Sequence, residues 1–412
     1  MIWYLICYCF VEVYAMLYIN EKNKVLFDRL VQILSARGMD NVSPVGSIGE
    51  IPITSKAIYL TDAEIDFAVG NNQSLLSELR ARKVIKAIFV KFSAPRFLVN
   101  EYLNGGIIEV EVPICKTSNE ILTEYYLNYI LEFVLEKSPN LPCGVKKSHN
   151  TIGLIKKLGT SDVTVLINGP TGTGKEVSSN LIHNFSKRRE APFLAVNCAA
   201  IPDQMLESTL FGHEKGSFTG AMQSNSGLIR AANNGTLLLD EISEMPLALQ
   251  SKLLRFVQEK KVMPIGGTKE HEVDVRILAT TNRNMYDEVK AGNFREDLFY
   301  RLNVFPFNTL ALNQRIWDIP AIVAHFLFNL DKSNTEKTEI SNGAFELLMD
   351  HEWPGNVREL FNVIQRAMLL CSSGIIKEQD LVFDNSGNSK ILNTAEALAA
   401  KFKDQKINEV QL

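Results

Sequence analysis

The sequence carries little net charge. Its 43 Lys and Arg residues nearly balance its 47 Asp and Glu residues, which gives a formal net charge of −4. This balance excludes a global basic field that would draw the chain onto nucleic acid or anionic lipid. The hydrophobic fraction of 46% and the charged fraction of 22% exclude a wholly disordered, collagen-like or coiled-coil chain.

Cysteines are few and dispersed, and no CxxC pair or Cys/His cluster occurs. This absence argues against a disulfide scaffold and against a structural zinc site. We expect the cysteines to act as small buried hydrophobic residues of a protein in the reducing cytoplasm. The cysteines are Cys7, Cys9, Cys115, Cys143, Cys198 and Cys371.

The first 19 residues are strongly apolar and are interrupted only by Glu12. A basic n-region and a small-residue cleavage site are lacking, which argues against a signal peptide. Glu12 would lie near the bilayer centre of a membrane segment, so that alternative is costly and we expect no membrane partner. The preferred hypothesis is that translation starts at Met16, whose segment then forms the first strand of the domain that follows.

At 412 residues the chain is long enough for two or three domains. Between residues 16 and 138, short apolar segments alternate with helical patterns, which predicts a parallel α/β domain. Residues 139–144 are predicted to form a linker. The predicted strands are 16–19, 57–60, 87–92 and 107–112, and the predicted helices are 25–34 and 75–84.

Polar residues follow several of these strands, where ligand chemistry gathers in parallel sheets. The layout resembles a bacterial response-regulator receiver, with Asp62 as the candidate phosphoacceptor and Ser93 in the hydroxyl position. A receiver also needs an acidic pair for Mg²⁺ and a lysine for the phosphoryl group. Here Asn20-Glu21 is only half acidic, and Val112 occupies the lysine position. Two interpretations remain, phosphorylation at Asp62 or a degenerate receiver-like domain that no longer uses phosphate, and the departures favour the second.

A glycine-rich loop follows the apolar run 163–168 and precedes a helical pattern. In this arrangement backbone amides and the helix N-terminus face phosphates, while Lys175 reaches the β and γ oxygens. Glu176 replaces the Ser or Thr that usually ligates Mg²⁺. The predicted nucleotide-binding residues of the loop are Gly169, Pro170, Thr171, Gly172, Thr173, Gly174, Lys175 and Glu176.

A second apolar strand in the segment 235–242 ends in two carboxylates. Asp240 can bind Mg²⁺ directly or through water, and Glu241 can act as general base on the attacking water. Asn282 ends a third strand, where it can sense the γ-phosphate; a simple turn residue is the alternative. These elements predict a nucleoside triphosphatase that uses Mg²⁺.

Six segments in order resemble sigma-54-dependent transcription activators, the bacterial enhancer-binding proteins of the response-regulator type. These proteins are AAA+ ATPases that act on RNA polymerase. The resemblance covers residues 145–384 and implies an α/β P-loop ATPase subdomain over 145–310 and a helical lid over 311–385. The segments are GPTGTGKE from Gly169, FLAVNCAA from Phe193, LFGHEKGSFTGA from Leu210, GTLLLDEI from Gly235, FREDLFYRLNVF from Phe294 and WPGNVREL from Trp353.

The resemblance implies further roles. Asn197 would hold Glu241 in an inactive orientation until the nucleotide state changes. Arg295 and Arg301 would reach the nucleotide of a neighbouring subunit, which implies a homo-oligomeric ring, by family a hexamer. Arg358 would be the lid residue that touches the γ-phosphate. A turn Asn and ordinary surface salt bridges are the alternatives for Asn197 and for the two ring arginines.

Glycines at three positions between residues 212 and 220 disfavour a helix there, yet the segment presents the apolar ring of Phe218. An exposed aromatic residue on such a loop is typical of a contact tip. By resemblance this loop engages sigma-54, a second loop at 264–268 supports it, and Ser217 stands where alanine is usual. The implied contact residues are Gly216, Ser217, Phe218, Thr219, Gly220 and Ala221.

Residues 386–412 are too few for the three helices of a DNA-binding helix-turn-helix. We therefore expect a truncated tail and contact with promoter DNA mainly through the polymerase. The sequence predicts an ATP-hydrolysing activator that remodels the sigma-54 RNA polymerase holoenzyme from the closed to the open promoter complex. The alternative is a non-hydrolysing paralogue that binds sigma-54 or joins hetero-oligomeric rings.

Overall fold

The computed structural model describes ten ranges of the chain: 15–21, 24–53, 56–62, 73–113, 119–136, 140–144, 149–218, 221–331, 335–371 and 374–383. These residues form two compact units. The P-loop unit contains the described residues of 139–141 and 149–314, and the composite unit contains those of 13–138, 142–148 and 315–412. The apolar segment 1–14 and the tail 386–412 lie outside the described residues. Within the described ranges, no helix is long and apolar enough to cross a membrane.

The composite unit begins with a six-stranded sheet in the order β2-β1-β3-β4-β6-β5. All neighbouring pairs are parallel except β5 with β6, which confirms the predicted parallel α/β class. The strands are β1 Met16–Asn20, β2 Val42–Val45, β3 Ala57–Asp62, β4 Val84–Lys91, β5 Leu98–Tyr102 and β6 Ile107–Glu111. The helices are α1 Lys24–Ala36, α2 Gln73–Ala81 and α3 Glu120–Leu135.

The strands β2 and β5 were not predicted from the sequence. Both lie at edges of the sheet. Strand β2 contains Pro44, which lacks the backbone N–H of an ordinary strand residue and is tolerated at an edge. Strand β5 forms an antiparallel pair with β6 across a turn at residues 103–106, so it does not follow the alternation of strand and helix used for the prediction.

The P-loop unit contains a five-stranded parallel sheet in the order β13-β7-β12-β9-β8. Its central strands are apolar and buried, as expected when helices cover both faces. The strands of the unit are β7 Val165–Asn168, β8 Phe193–Asn197, β9 Thr236–Asp240, β10 Lys261–Val262, β11 His271–Glu272, β12 Arg276–Thr281 and β13 Phe305–Asn308. The helices are α4 His149–Thr160, α5 Lys175–Asn184, α6 Asp203–Phe211, α7 Leu228–Ala231, α8 Leu247–Glu259, α9 Met285–Lys290 and α10 Glu296–Leu302.

Three helices complete the composite unit: α11 Ile319–Leu330, α12 Asn342–Asp350 and α13 Asn356–Leu370. They agree with the helical patterns expected for a lid. Ser341 begins α12, because its hydroxyl accepts a hydrogen bond from the Ala344 amide at 3.0 Å. A short parallel pair, β14 Glu339–Ile340 with β15 Ile375–Ile376, lies beside these helices.

The described cysteines agree with the expectation of small hydrophobic residues. Cys143 and Cys198 are buried, and burial raises the pKa of each thiol to about 12. Cys371 is partly exposed, and all three are free thiols. The remaining cysteines, at positions 7, 9 and 115, lie outside the described residues.

Helix α3 joins the first sheet of the composite unit to the lid helices. Every residue from Glu124 to Leu135 is buried, because α3 packs against α1 on one side and against α11 on another. Aromatic contacts cross to the lid: the rings of Tyr129 and Phe133 lie 5.6 and 4.9 Å from Phe328. A helix that is buried on all sides belongs inside a core. The residues before the linker and the lid therefore share one hydrophobic core.

Backbone hydrogen bonds also join the lid to the first sheet. The segment at Glu336 pairs antiparallel with Leu98 at the start of β5. The Val99 amide donates to the Thr335 carbonyl at 2.9 Å, and the Lys337 amide donates to the Phe97 carbonyl at 3.1 Å. The lid thus extends the edge of the first sheet, which satisfies backbone groups on both sides.

A buried ion network also connects the first part of the composite unit to the lid. Glu132 on α3 accepts from Arg37 Nη1 at 2.6 Å and contacts His325 Nδ1 on α11 at 2.8 Å. The Arg37 and Glu132 side chains are only 0% and 3% exposed. Burial alone would raise the pKa of Glu132, but Arg37 and His325 outweigh it and lower the pKa to about 2. The carboxylate therefore stays charged inside the core.

The substitution Glu132→Gln should destabilise the composite unit by about 3 kcal/mol at pH 7, because it leaves the Arg37 guanidinium buried without its counter-charge. The folded pKa lies below the ordinary value of 4.5, so the contribution of Glu132 is fully present above about pH 4.5 and is lost as the pH falls towards 2. Urea unfolding of the wild type and the variant from pH 3 to 7 should show a difference that narrows below pH 4.5.

The matched control is Glu120→Gln on the same helix, where the exposed carboxylate lies 3.7 Å from Arg29. This change should alter the free energy of unfolding by less than about 0.5 kcal/mol. A Glu132→Gln effect that is equally large at pH 3 and pH 7 would contradict the assignment of a buried charged carboxylate.

Candidate functional site

The glycine-rich loop connects β7 to α5 in a shape that depends on two glycines. Gly174, the residue before α5, has φ +93°, a left-handed conformation that favours glycine. A Cβ atom at Gly169 would lie 2.0 Å from Thr309 Oγ1. The tight turn leaves the N-terminus of α5 at the loop, where backbone amides can bind phosphate.

The Lys175 amine lies inside this loop. The side chain is 7% exposed, and its Nζ atom donates to the Gly169 carbonyl at 3.0 Å. It also lies 3.6 Å from Glu241 Oε1. The loop therefore holds a buried cation beside a carboxylate that a different strand supplies.

Both carboxylate oxygens of Asp240 are bound by side chains on adjacent strands. Asn197 lies opposite Asp240 in the parallel register, and its Nδ2 atom donates to Oδ2 at 2.9 Å. The Thr280 hydroxyl on β12 donates to Oδ1. The Asn197 amide thus contacts Asp240 rather than Glu241, which differs from the expectation drawn from the family resemblance. Thr280 was not among the predicted site residues.

Glu241 leaves β9 in an unusual backbone conformation. Its φ and ψ are +51° and +53°, in the left-handed region that a non-glycine residue seldom adopts. Its amide donates to Thr280 Oγ1 at 3.1 Å, and its Oε2 atom accepts from the Asn282 amide at 3.2 Å. The Thr280 hydroxyl therefore connects both acidic residues, and local backbone strain aims Glu241 at the loop.

Asn282 connects the end of β12 to the glycine-rich loop, because its Nδ2 atom lies 3.2 Å from Thr171 Oγ1. The structure thus brings together the loop, Lys175, Asp240, Glu241 and Asn282. Among the described residues, no group of three or more His, Cys, Asp or Glu side chains could hold a metal ion. Magnesium commonly uses one or two carboxylates together with water and phosphate oxygens, and Asp240 fits that pattern.

Arg295 immediately precedes helix α10 and Arg301 lies in its last turn, and both are open to solvent. Arg295 donates from Nε and Nη2 to Asp297 at 3.1 and 2.7 Å, and from Nη1 to Ser251 Oγ at 3.2 Å. Arg301 is exposed in the last turn of α10. Arg358 is an exposed residue at the start of α13 and belongs to the composite unit.

The segment between α6 and α7 carries an exposed aromatic residue, Phe218, which is 46% exposed. The Gly216 amide donates to the Ala221 carbonyl at 2.8 Å, which closes the turn. The second loop pairs with the stem of the first, since the Ile265 amide donates to the Gly212 carbonyl at 2.9 Å. This pairing agrees with the expectation that the loop at 264–268 supports the first loop. The predicted contact residues Thr219 and Gly220 lie outside the described residues.

Ser217 packs closely against the second loop. A Cβ atom added at Gly266 would lie 2.7 Å from the Ser217 Cβ atom. The Ser217 hydroxyl is buried and has no hydrogen-bond partner among the described residues. The serine therefore fits sterically in the position where alanine is usual, but its hydroxyl adds no contact within the described part of the chain.

Several residues at the receiver-like edge of the first sheet are buried. Asp62 ends β3 and is buried, as is Asn20 at the end of β1. The Asn20 amide donates to the Tyr59 hydroxyl at 3.2 Å. Val112, at the position where a receiver has lysine, is fully buried. Ser93 adopts φ +59° after β4.

Comparison with known proteins shows two family matches. A sigma-54 interaction domain matches residues 144–308, and an AAA+ ATPase lid domain matches residues 313–398. The chain is 52% identical over 235 residues to the response regulator protein FleR of Pseudomonas aeruginosa. The aligned region covers 57% of this chain and 50% of FleR. It is 44% identical over 265 residues to the Nif-specific regulatory protein of Enterobacter agglomerans. That aligned region covers 63% of this chain and 51% of the Nif-specific protein. The chain spans about half the length of these curated relatives.

The fold is also similar to that of a solved protein. The crystal structure of NtrX from Brucella abortus in complex with ADP matches with a TM-score of 0.56 and 24% sequence identity. The match covers 96% of this chain and 93% of that chain. At this identity the likeness concerns the fold, and it extends over both units.

The substitution Thr280→Val should lower the rate of nucleotide hydrolysis at this candidate site by about 10- to 100-fold, because it removes the hydroxyl that orients Asp240 and the Glu241 amide. Valine preserves the shape of the buried side chain. Steady-state phosphate release, with circular dichroism to verify folding, tests this expectation. The control is Thr281→Val, whose hydroxyl bonds instead to Ser243 at 3.0 Å. Equal losses in both variants would contradict the orienting role of Thr280.

Proposed function

Because the chain belongs to the family of sigma-54-dependent transcriptional activators, we propose that it hydrolyses ATP to remodel sigma-54 RNA polymerase from the closed to the open promoter complex. The observation that carries this proposal is the presence, in one compact unit, of a convergent phosphate site and an exposed aromatic tip. The proposed cofactors are ATP and Mg²⁺, and the proposed place of action is the cytoplasm.

In the proposed hydrolysis, the loop amides and Lys175 hold the nucleotide phosphates. Asp240 would hold Mg²⁺ together with the phosphates, and the ion supplies charge neutralisation when it is bound. Glu241 accepts the proton of the attacking water, with its carboxylate steadied by the Asn282 amide. The contacts of Asp240 and Glu241 described above support this division of roles.

The route from hydrolysis to the tip is proposed to begin at Asn197. Its amide contacts Asp240, and its Oδ1 atom accepts from the Ala199 and Ala200 amides at 2.9 and 3.1 Å. The turn that follows leads into α6, whose C-terminal end continues into the tip. A change at the Asp240 carboxylate can therefore displace the segment that carries Phe218.

Arg295 and Arg301 are proposed to complete the nucleotide site of a neighbouring subunit, where their charges would stabilise the transferring phosphoryl group. Their exposure supports this role. It requires a homo-oligomeric ring, and the family suggests a hexamer. Arg358 is proposed to contact the γ-phosphate of its own chain from the lid.

The proposed domain organisation places a degenerate receiver-like domain at 16–138, a linker at 139–144, the ATPase subdomain at 145–310 and the lid at 311–385. The buried edge at Asp62 and Asn20 supports a domain that does not use phosphate. The core shared through α3 supports a close connection between this domain and the lid. Promoter DNA is proposed to be reached mainly through the polymerase.

A second candidate is a non-hydrolysing paralogue that binds sigma-54 or joins mixed rings as a regulator. The departures at Val112 and Asn20 favour it, because they indicate that the input domain has lost a function. The ordered contacts of Lys175, Asp240 and Glu241 favour the hydrolysing activator.

The decisive experiment loads the full chain with ADP and aluminium fluoride, a mimic of the transition state, and measures its complex with sigma-54 by gel filtration. We expect co-elution of the wild type. Lys175→Ala should abolish the complex because the nucleotide cannot bind. Phe218→Ala should abolish it with ATP hydrolysis retained, because the exposed ring is removed.

The absence of a complex despite measurable ATPase activity would reject the activator. A complex with sigma-54 from a chain that shows no ATPase activity would favour the second candidate. A complex that Phe218→Ala leaves intact would show that another surface binds sigma-54.

Mixing two inactive variants tests the ring. Lys175→Ala chains keep the arginines, and Arg301→Ala chains keep the phosphate site, so mixed interfaces should recover ATPase activity when the arginine acts in trans. Activity is measured after the variants are mixed at equal concentration. No recovery in rings shown to contain both variants would place Arg301 in the site of its own subunit.

A further inference from the structure

The stem of the exposed tip is organised around His213. Its backbone exchanges two hydrogen bonds of 2.9 Å with Asn225, which joins the two sides of the stem. It also pairs with Ile265 of the second loop, and the neighbouring Glu214 amide donates to the Ile265 carbonyl at 3.0 Å. His213 therefore lies where both strands of the stem and the supporting loop meet.

The His213 ring is held at both nitrogens. Nδ1 lies 2.8 Å from the Ser208 hydroxyl on α6, and Nε2 lies 3.0 Å from the Gln223 carbonyl. A carbonyl oxygen only accepts, so Nε2 carries the proton and Nδ1 of the neutral ring accepts from Ser208. These two contacts fix both the orientation and the tautomer of the ring.

Phe218 packs on this fixed ring. The centroids of His213 and Phe218 are 4.9 Å apart, and the planes meet at 64°, an edge-to-face arrangement that aromatic pairs favour. Phe218 remains open to solvent away from this contact, since the residue is 46% exposed. Gly212 and Gly216 adopt φ +80° and +82° on either side of His213 and carry no side chain that could hold the phenyl ring.

We propose that His213 is a positioning residue for partner contact, which holds the Phe218 ring exposed in one orientation on the tip. This inference rests on the proposed function and names the residue that prepares its contact surface. The cost of ordering an exposed aromatic side chain is met within the free protein rather than during binding. The contact to Ser208 also ties the ring to α6, so movement of that helix carries Phe218 with it.

The substitution His213→Gln removes the ring but retains an amide that can hydrogen-bond in the stem. We expect the complex of the full chain with sigma-54 in ADP and aluminium fluoride to weaken by about tenfold, which is the size of one aromatic contact. The rate of ATP hydrolysis in the absence of sigma-54 should stay within about twofold of wild type, because the nucleotide site is intact.

Rescue by His213→Phe separates the ring from the hydrogen bonds. Phenylalanine keeps an aromatic surface beneath Phe218 but loses the contacts to Ser208 and Gln223. We expect sigma-54 affinity between that of His213→Gln and that of wild type. Hydrogen exchange of residues 213–225, followed by mass spectrometry, should rise in His213→Gln relative to wild type, because the stem and tip lose their central contact.

The matched control is His271→Gln in the same unit, where the ring nitrogen lies 3.4 Å from Arg230 Nη1. It should bind sigma-54 as wild type does. Unchanged binding by His213→Gln, equal losses in His213→Phe and His213→Gln, or a parallel loss of ATPase activity would overturn the proposed positioning role. Failure of the wild type to bind sigma-54 would instead overturn the proposed function.

Discussion

The carboxylate of Asp240 is the point at which three parallel strands of the P-loop unit are joined. Asn197 binds one oxygen from β8, and Thr280 binds the other from β12. The same Thr280 hydroxyl accepts from the Glu241 amide, so the two acidic residues are oriented together. Their placement depends on the parallel register of the sheet, and a register shift of β9 would break both contacts.

The two acidic residues are connected to the glycine-rich loop and to α6 by short paths of hydrogen bonds and backbone. Glu241 contacts the amide of Asn282, and the Asn282 side chain reaches Thr171 in the glycine-rich loop. Asn197 leads through a bonded turn into α6, and α6 holds the base of the tip through Ser208. The predicted site residues and the base of the exposed tip are therefore connected within one unit.

The composite unit follows a different principle, because its two parts are joined by a common core rather than by a flexible connection. Helix α3 is buried on all sides, and Glu132 within it contacts Arg37 on one side and His325 on the other. Separating the lid from the first sheet would expose aromatic surface and leave a buried charge unpaired, which is costly. The lid and the preceding domain thus form one structural body.

The sequence by itself determined the parallel α/β class, the glycine-rich loop and the acidic strand end, because each is encoded by residues that are contiguous in the chain. Apolar runs of strand length followed by glycine or paired carboxylates specify local backbone geometry. The helices of the lid were predictable for the same reason.

Only the tertiary structure decided which side chains meet. Several of these contacts join segments that are separated in sequence. They include the contacts of Thr280 and of Asn197 with Asp240, the packing of the His213 ring beneath Phe218 and the packing that buries α3. Local spacing does not encode such contacts, because they arise from strand register and from packing between distant elements.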